Sequence, residues 1–136
     1  MPSNKKIKGV LIDTKKNEIK VIDFDYKSYK DFYPLLDCSC FDIQERRFGG
    51  TNGAFFDIYL DDEGLLSAEP KPVSIVTLHN GQQVEQIVGN VFICSHNEEG
   101  ESISLTDEQI EEILTIQFTY FDEQDATKHK GLVAYI

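Results

Sequence analysis

Residues 41–60 read FDIQERRFGGTNGAFFDIYL, and this stretch predicts a β-hairpin. Its first part, residues 41–48, is interpreted as a strand. Asn52 and Gly53 then form a dipeptide that is a strong signal for a tight hairpin turn, because both residues tolerate positive φ. In the returning strand, alternate side chains face opposite sides of the sheet, with Phe56, Ile58 and Leu60 on one side and Phe55, Asp57 and Tyr59 on the other.

Strand signals continue on both sides of this hairpin. Toward the N-terminus, β-branched runs in residues 7–13 and 19–24 flank the polar residues 14–17, and this pattern predicts another hairpin. Toward the C-terminus, Asn80 and Gly81 form a second turn dipeptide. Further strands are predicted in residues 73–78, 84–88, 91–94, 118–120 and 132–135.

Two helices are predicted between the strands. The first has Asp25 as its expected N-cap, and because Pro34 lacks an amide donor we expect this helix to end or kink just before it. Its apolar stripe consists of Tyr29, Phe32, Tyr33 and Leu36. The second helix begins with a capping box, in which the side chains of Thr106 and Gln109 bind each other's backbone amides, and it runs to about Ile116.

These elements predict a single α+β domain over residues 1–136, with a mostly antiparallel sheet and two helices packed on one of its faces. A chain of 136 residues fits one domain and can bury a hydrophobic core. The composition agrees with a folded domain, since 40% of the residues are hydrophobic and 11% are aromatic. The pattern leaves the strand order open.

The charge distribution constrains the partners of the protein. Residues 31–127 contain twenty acidic side chains and three basic ones, Arg46, Arg47 and Lys71, and the net charge of the whole chain is −11. A field of this sign repels the phosphates of nucleic acids and of anionic membranes, so direct binding to either is disfavoured. The acidic side chains are also explained as a solvated surface that keeps the protein soluble.

The sequence favours a cytoplasmic location. The basic N-terminus is followed by an apolar stretch, residues 10–12, that is far shorter than the apolar region of a secretory signal. No window has the apolar length of a membrane span. The three cysteines are an odd number, and Cys38 and Cys40 are too close in sequence to favour a mutual disulfide, which fits a reducing compartment.

Four residues with metal-ligating side chains form two closely spaced pairs. Cys38 and Cys40 make a Cys-x-Cys pair, while Cys94 and His96 make a Cys-x-His pair. Residues i and i+2 of a strand share a face, so each pair can converge on a structural zinc ion, although most zinc modules use a longer spacing. The alternative is that Cys94 is a small buried thiol in an apolar strand and that no metal is bound.

Arg46 and Arg47 are the candidate anion-binding residues. They precede the glycine-rich residues 49–53, which lack the Gly-Lys-Ser/Thr ending of a phosphate loop. A small-ligand or enzyme site would use both arginines, whereas the alternative is that they pair with carboxylates across the sheet. None of the three histidines lies in a catalytic signature, so no catalytic residues and no cofactors are predicted, and a non-enzymatic protein is favoured.

Two blocks of sequence carry a family resemblance. The first combines CFDIQERRFGG at residues 40–50 with FDIYLDDEGLL at residues 56–66, and the second combines IVGNVFIC at residues 87–94 with SLTDEQI at residues 104–110. Together these blocks resemble the family known as domain of unknown function 3846, over residues 7–117. The resemblance implies a cytoplasmic accessory protein of bacterial phages, plasmids or other mobile elements, and it supplies no catalytic residues.

The sequence therefore leaves three functional hypotheses. The first is a non-enzymatic interaction or regulatory module whose acidic face binds a basic host or mobile-element protein. The second is a small-ligand binder or enzyme that uses Arg46 and Arg47 near residues 49–53. The third is a zinc-stabilised module that uses the two cysteine-containing pairs. The sequence leaves the oligomeric state open.

Overall fold

The computed structural model describes residues 5–48, 55–61, 72–122 and 126–135. Within these ranges, β-strands account for most of the chain, and two short α-helices and a 3-10 turn lie between them. The helices are α1 (Phe32–Leu36) and α2 (Asp107–Thr115), and the 3-10 turn is Tyr29–Asp31. The strands are β1 (Lys5–Asp13), β2 (Glu18–Tyr26), β3 (Phe41–Phe48), β4 (Phe55–Asp61), β5 (Val73–His79), β6 (Gln82–Val88), β7 (Val91–His96), β8 (Ser102–Ile103), β9 (Phe118–Asp122) and β10 (Thr127–Tyr135).

The ten strands of the described ranges form one mixed sheet. Eight of them follow the order β2-β1-β7-β4-β3-β10-β5-β6, while β8 pairs with β7 and β9 pairs with β10. Neighbouring strands are antiparallel except β10 and β5, which pair in parallel over residues 132–135 and 75–78. The long strand β10 changes partners along its length, because β9 lies beside its first half and both β3 and β5 lie beside its second half.

The structure confirms the predicted hairpins. Strands β1 and β2 pair along their full length, and β3 pairs with β4 from Phe41 to Arg47. At the β5–β6 turn, Asn80 and Gly81 have φ angles of 52° and 79°, which are the positive values that a tight hairpin turn requires. The predicted turn at residues 49–53 lies outside the described residues.

Alternation along the central strands separates two hydrophobic clusters, one on each face of the sheet. On β4, Phe56, Ile58 and Leu60 enter the larger cluster, as the sequence pattern predicts, whereas Tyr59 enters the smaller one. We call the smaller one the aromatic cluster, and its buried members are Ile7, Leu11, Phe32, Leu36, Tyr59, Phe92 and Cys94. The cluster into which a helix buries its side chains therefore shows which face of the sheet that helix covers.

The prediction of an α+β fold with two helices on one face is wrong, although the predicted mostly antiparallel pairing is found among the described strands, with β10 and β5 as the exception. The helices contain only five and nine residues, so the sheet dominates the fold. They also cover opposite faces, because α1 buries Phe32 and Leu36 in the aromatic cluster while α2 buries Ile110 and Ile113 in the larger cluster. An apolar stripe shows that a helix is buried on one side, but it does not specify which face of a sheet receives it.

The sheet is curled around the larger cluster. Arg46 of β3 forms a 2.5 Å ion pair with Glu85 of β6, although β10 and β5 lie between these strands. Three steps across a flat sheet would separate their backbones by about 14 Å. The β1–β2 turn also reaches β10, where the Asn17 side chain donates to the Lys128 carbonyl at 2.7 Å and accepts from the Lys130 amide at 2.8 Å.

The first helix begins later than predicted, and Asp25 is not its cap. Strand β2 continues through Tyr26, and Ser28 then caps the 3-10 turn that leads into α1. The helix continues past Pro34, which lies in the first turn, where a missing amide leaves no helical bond unmade. It ends where Asp37 adopts the left-handed conformation, with φ of 52°.

The second helix is confirmed. The Thr106 hydroxyl accepts the Gln109 amide at 3.1 Å, and the Gln109 side-chain oxygen accepts the Thr106 amide at 2.9 Å. The helix then runs for nine residues and is C-capped by Ile116. The capping box therefore fixes the start of α2, as the sequence predicts.

Candidate functional site

A group of polar side chains lies where β3, β4 and β7 run side by side. Glu45 on β3 is directly opposite Asp57 on β4, and Asp57 is directly opposite Cys94 on β7. Opposed residues of an antiparallel pair share a face, and so do residues i and i+2 of one strand. Glu45, Asp57, Cys94 and His96 therefore all lie on the face that carries the aromatic cluster.

Three of these side chains form the carboxylate–imidazole cluster, which consists of Glu45, Asp57 and His96. Their potential ligand atoms lie within 4.8 Å of one another. His96 Nδ1 lies 3.0 Å from Asp57 Oδ1, so an imidazole with its proton on Nδ1 donates to the carboxylate. Asp57 is only 7% exposed, whereas the His96 side chain is 29% exposed and Glu45 is open to solvent. Asp57 therefore lies at the buried end of the cluster, whereas Glu45 and part of His96 are accessible to solvent.

Burial dominates the electrostatics of Asp57. It raises the pKa of the Asp57 carboxyl above its ordinary value of 3.8, because the ionised form loses hydration. His96 lowers this pKa through its charge and its hydrogen bond, and Glu45 raises it through like-charge repulsion. The net direction is upward, so the folded protein carries the ionised Asp57 at a cost in stability.

We expect Asp57→Asn to stabilise the protein at neutral pH, because it removes a buried carboxylate whose ionised form is disfavoured in the folded state. The folded state binds the Asp57 proton more tightly than the unfolded state, so the stability of the wild type falls as pH rises from 3.8 through the raised pKa of the folded state. Asparagine has no such titration, and its oxygen can still accept from His96. Urea unfolding in EDTA at several pH values should give Asp57→Asn a higher free energy of unfolding than the wild type at pH 7. This difference should become smaller as the pH is lowered.

Asp42→Asn is the matched control for this stability prediction. Asp42 lies on β3 and is exposed to solvent, so the substitution removes the same charge without relieving a buried carboxylate. Its stability should stay close to that of the wild type across the same pH range. If Asp57→Asn were stabilised relative to the wild type by the same amount at acid pH as at pH 7, the stabilisation would not come from removing a buried charge.

Tyr59 links this cluster to the neighbouring β7–β8 hairpin. Its ring stacks on Phe32 with centroids 4.4 Å apart, and its hydroxyl lies 2.5 Å from the Ser102 Oγ atom on β8. Burial raises the pKa of Tyr59 to about 12, so the phenol stays protonated at neutral pH. Because His96 is paired with Ser102 in the β7–β8 ladder, this contact helps fix the strand that carries the imidazole.

The two candidate anion-binding arginines point to opposite faces of β3. The Arg46 guanidinium binds the Gln44 and Glu85 side chains on the face of the larger cluster. The Arg47 guanidinium lies over the Phe55 ring on the other face, 5.6 Å from its centroid. Adjacent residues of a strand diverge in this way, so the two side chains do not form one joint site.

The two pairs predicted to bind zinc are placed differently from one another. Cys94 is buried in the aromatic cluster, Cys38 is half-buried against it, and Cys40 is exposed. No disulfide joins any of the three cysteines. Among the described residues, the one group of three or more ligating side chains is the carboxylate–imidazole cluster, which contains His96 but no cysteine.

The sequence interpretation singled out His96 and missed Glu45 and Asp57. One local signal was available, because Asp57 alternates with apolar residues along a strand, and an aspartate that is buried in such a strand almost always has a partner. The pairing that brings His96 to Asp57 joins strands 39 residues apart in sequence. Such a register is not encoded in local periodicity.

A second feature is an exposed acidic surface. Residues 72–122 contain nine acidic residues and neither lysine nor arginine. We define the acidic segment as residues 98–112, which comprise the β7–β8 turn, β8 and most of α2. Its exposed acids are Glu98, Glu99, Glu101, Asp107, Glu108 and Glu111, and Glu112 is half-buried. At one edge, the Lys8 ammonium lies 3.5 Å from the Asp107 carboxylate.

Fold and site together define a small, sheet-dominated acidic domain with a carboxylate–imidazole cluster on one face. The chain belongs to the family described as domain of unknown function (DUF3846), whose model matches residues 7–118. The match extends from β1 to the first residue of β9, and so includes the whole cluster. Searches of curated proteins and of solved structures found no match to the chain. No helix in the described ranges has the length and apolar character needed to cross a membrane.

Proposed function

We propose that the protein is a non-enzymatic interaction module whose acidic segment binds a basic partner protein. The observation that supports this proposal is the density of negative charge, because residues 98–112 contain seven acidic residues and no lysine or arginine. The family resemblance suggests that the protein acts in the bacterial cytoplasm. There it would be an accessory factor of a phage, plasmid or other mobile element. The partner is then a basic protein of the host or of the element.

The acidic segment is held on a rigid support. Between its acidic turn and its acidic helix, the Ser104 hydroxyl accepts the Lys8 amide at 2.8 Å and the Leu105 amide donates to the Lys8 carbonyl at 2.9 Å. The buried side chains Ile110 and Ile113 anchor α2 from below, so its exposed carboxylates face outward. A surface that is already ordered loses little conformational entropy when a partner binds.

The charge of this surface selects the chemistry of the partner. Carboxylates attract lysine- and arginine-rich surfaces over a distance set by the ionic strength, and they repel phosphate-rich polymers. This favours a basic protein over a nucleic acid or an anionic membrane as the direct partner. In the alternative of a ligand site near residues 49–53, Arg46 and Arg47 would have to act separately, because their side chains lie on opposite faces of β3.

The test combines affinity capture with binding measurements on charge variants. The tagged protein is used to capture partners from a bacterial host lysate at low salt, and the captured protein is then purified and titrated with the wild type. We expect binding to weaken steeply as salt is raised. Glu108→Gln/Glu111→Gln removes two exposed charges from α2 and should weaken binding about tenfold.

Asp23→Asn/Asp25→Asn is the matched control. It removes the same two units of charge from exposed positions on the edge strand β2, outside residues 98–112. Its affinity for the purified partner should remain within about twofold of the wild type, apart from a small long-range effect. Equal weakening by both double variants, or binding that is insensitive to salt, would falsify the proposal.

A further inference from the structure

We propose that Glu45, Asp57 and His96 bind one divalent first-row transition-metal ion, of the manganese and zinc class. The three side chains come from three adjacent strands, and their ligand atoms lie within 4.8 Å of one another. None of these three residues belongs to the acidic segment or to the arginine pair Arg46/Arg47. Only His96 belongs to the pairs predicted to bind zinc, where the sequence grouped it with Cys94.

The distances suit a metal ion. With metal–ligand bonds of about 2.1 Å, neighbouring ligand atoms lie about 3.0 Å apart in octahedral geometry and about 3.4 Å apart in tetrahedral geometry. His96 Nδ1 and Asp57 Oδ1 are already separated by 3.0 Å. Glu45 is exposed and has a long, flexible side chain, so a rotamer change of this residue closes the remaining distance.

The local charge also favours a cation. Glu45 and Asp57 are directly opposite on adjacent strands, and like charges in that arrangement destabilise a sheet. In the described part of the chain, the ion pair of Asp57 is with His96, and neither carboxylate has a lysine or arginine partner. A dication bound between the two carboxylates neutralises both charges and removes their repulsion.

The ligand set selects the class of metal. Magnesium and calcium prefer ligand sets made entirely of oxygen atoms, whereas an imidazole nitrogen suits zinc and iron, and the two carboxylates also suit manganese. Three protein ligands leave coordination positions for water, and the exposed Glu45 and the partly exposed His96 give the ion a route from solvent. Binding would tie β3, β4 and β7 together at the centre of the sheet.

The test uses the full-length protein after EDTA treatment and dialysis. MnCl₂ alone is titrated by electron paramagnetic resonance of the free ion, and ZnCl₂ alone is titrated against a chromophoric chelator. We expect one ion per chain, with a dissociation constant in the micromolar range, and a melting temperature that rises by roughly 5–10 °C at a hundredfold excess over that constant.

Two substitutions address the ligands directly. Glu45→Gln and His96→Ala should each weaken Mn²⁺ and Zn²⁺ binding by at least about tenfold. Asp42→Asn is the control for Glu45→Gln, because both residues are exposed on β3, and it should bind metal as the wild type does. Since Glu45 is on the surface, its glutamine variant is expected to keep the native circular dichroism spectrum.

Other outcomes overturn the metal site. They are the absence of Mn²⁺ and Zn²⁺ binding at millimolar metal, equal weakening by Asp42→Asn and Glu45→Gln, or zinc binding that is lost in Cys38→Ser/Cys40→Ser and retained in His96→Ala. The last result would assign zinc to the cysteines. Glu108→Gln/Glu111→Gln should leave metal affinity unchanged, so the metal site and the proposed partner surface can fail independently.

Discussion

Replacing Phe32 with alanine is expected to lower the free energy of unfolding by about 3–5 kcal/mol. Phe32 is 1% exposed and lies at the centre of the aromatic cluster. Its ring stacks on Tyr59 at a centroid distance of 4.4 Å, and four further rings surround it, namely Phe24 at 4.8 Å, Tyr26 at 4.9 Å, Phe41 at 5.4 Å and Phe92 at 6.3 Å. Alanine would leave a cavity between the strands and α1.

The effect on α1 adds to the loss of packing. A helix of five residues is not stable by itself, so α1 depends on the side chains that it buries, Phe32 and Leu36. Domains are typically stable by about 5–15 kcal/mol, so this single substitution removes a large fraction of the total. Phe32→Leu keeps most of the volume and should lose about 1–2 kcal/mol, which provides a folded variant for measurement.

Urea unfolding of Phe32→Ala, Phe32→Leu and Tyr29→Ala checks this prediction. Tyr29 is also aromatic and lies nearby, in the 3-10 turn, but it is 61% exposed and contacts Phe41 at a centroid distance of 6.5 Å. Its removal should cost less than about 1 kcal/mol. If Tyr29→Ala and Phe32→Ala were equally destabilising, the aromatic cluster would not be the stabilising core of this face.

Local features of the structure were predictable because their causes are local. The pairing of β3 with β4 agrees with the alternation along β4, and the start of α2 follows from the reciprocal bonds of Thr106 and Gln109. Asn80 and Gly81 likewise determine the β5–β6 turn through their positive φ angles. Each of these features depends on residues within a few positions of one another.

Long-range pairings were not predictable from the same patterns. The parallel contact between β10 and β5 joins Leu132 to Ile75, and nothing in either segment specifies the other as its neighbour. The first helix shows the same limit, because Asp25 was expected to cap it but instead pairs with Lys6 near the end of β2. Tertiary pairing there outweighs the local helical pattern.

The candidate site also combines a feature that was predictable from local sequence with others that depend on long-range strand pairing. His96 was recognisable as a potential ligand from its chemistry, but the sequence grouped it with Cys94, its near neighbour in the chain. The β4–β7 pairing instead places His96 beside Asp57, and the β3–β4 pairing adds Glu45. Acidic residues are so frequent in this chain that composition could not single out these two.

The second large effect is expected at Gly9, where alanine should destabilise the protein by about 3 kcal/mol, at the upper end of the usual cost of overpacking. A Cβ atom at this position would lie 2.3 Å from the Ile93 carbonyl oxygen and 2.7 Å from the Phe92 ring. The first contact is with backbone, so a side-chain rotation cannot relieve it. Strand β1 would have to move away from β7, which is its neighbour in the centre of the sheet.

Gly131→Ala separates this steric effect from the general consequence of replacing glycine in a strand. Gly131 lies in β10, and a Cβ atom there would be 3.1 Å from the Ser74 carbonyl oxygen and 3.4 Å from the Phe118 ring, so small shifts accommodate it. Alanine also restricts the unfolded chain, which offsets part of any strain, and the net loss should stay below about 1 kcal/mol. Urea midpoints of the two variants give the comparison. A Gly9→Ala protein as stable as Gly131→Ala would mean that β1 and β7 are not packed as closely as the Gly9 contacts require.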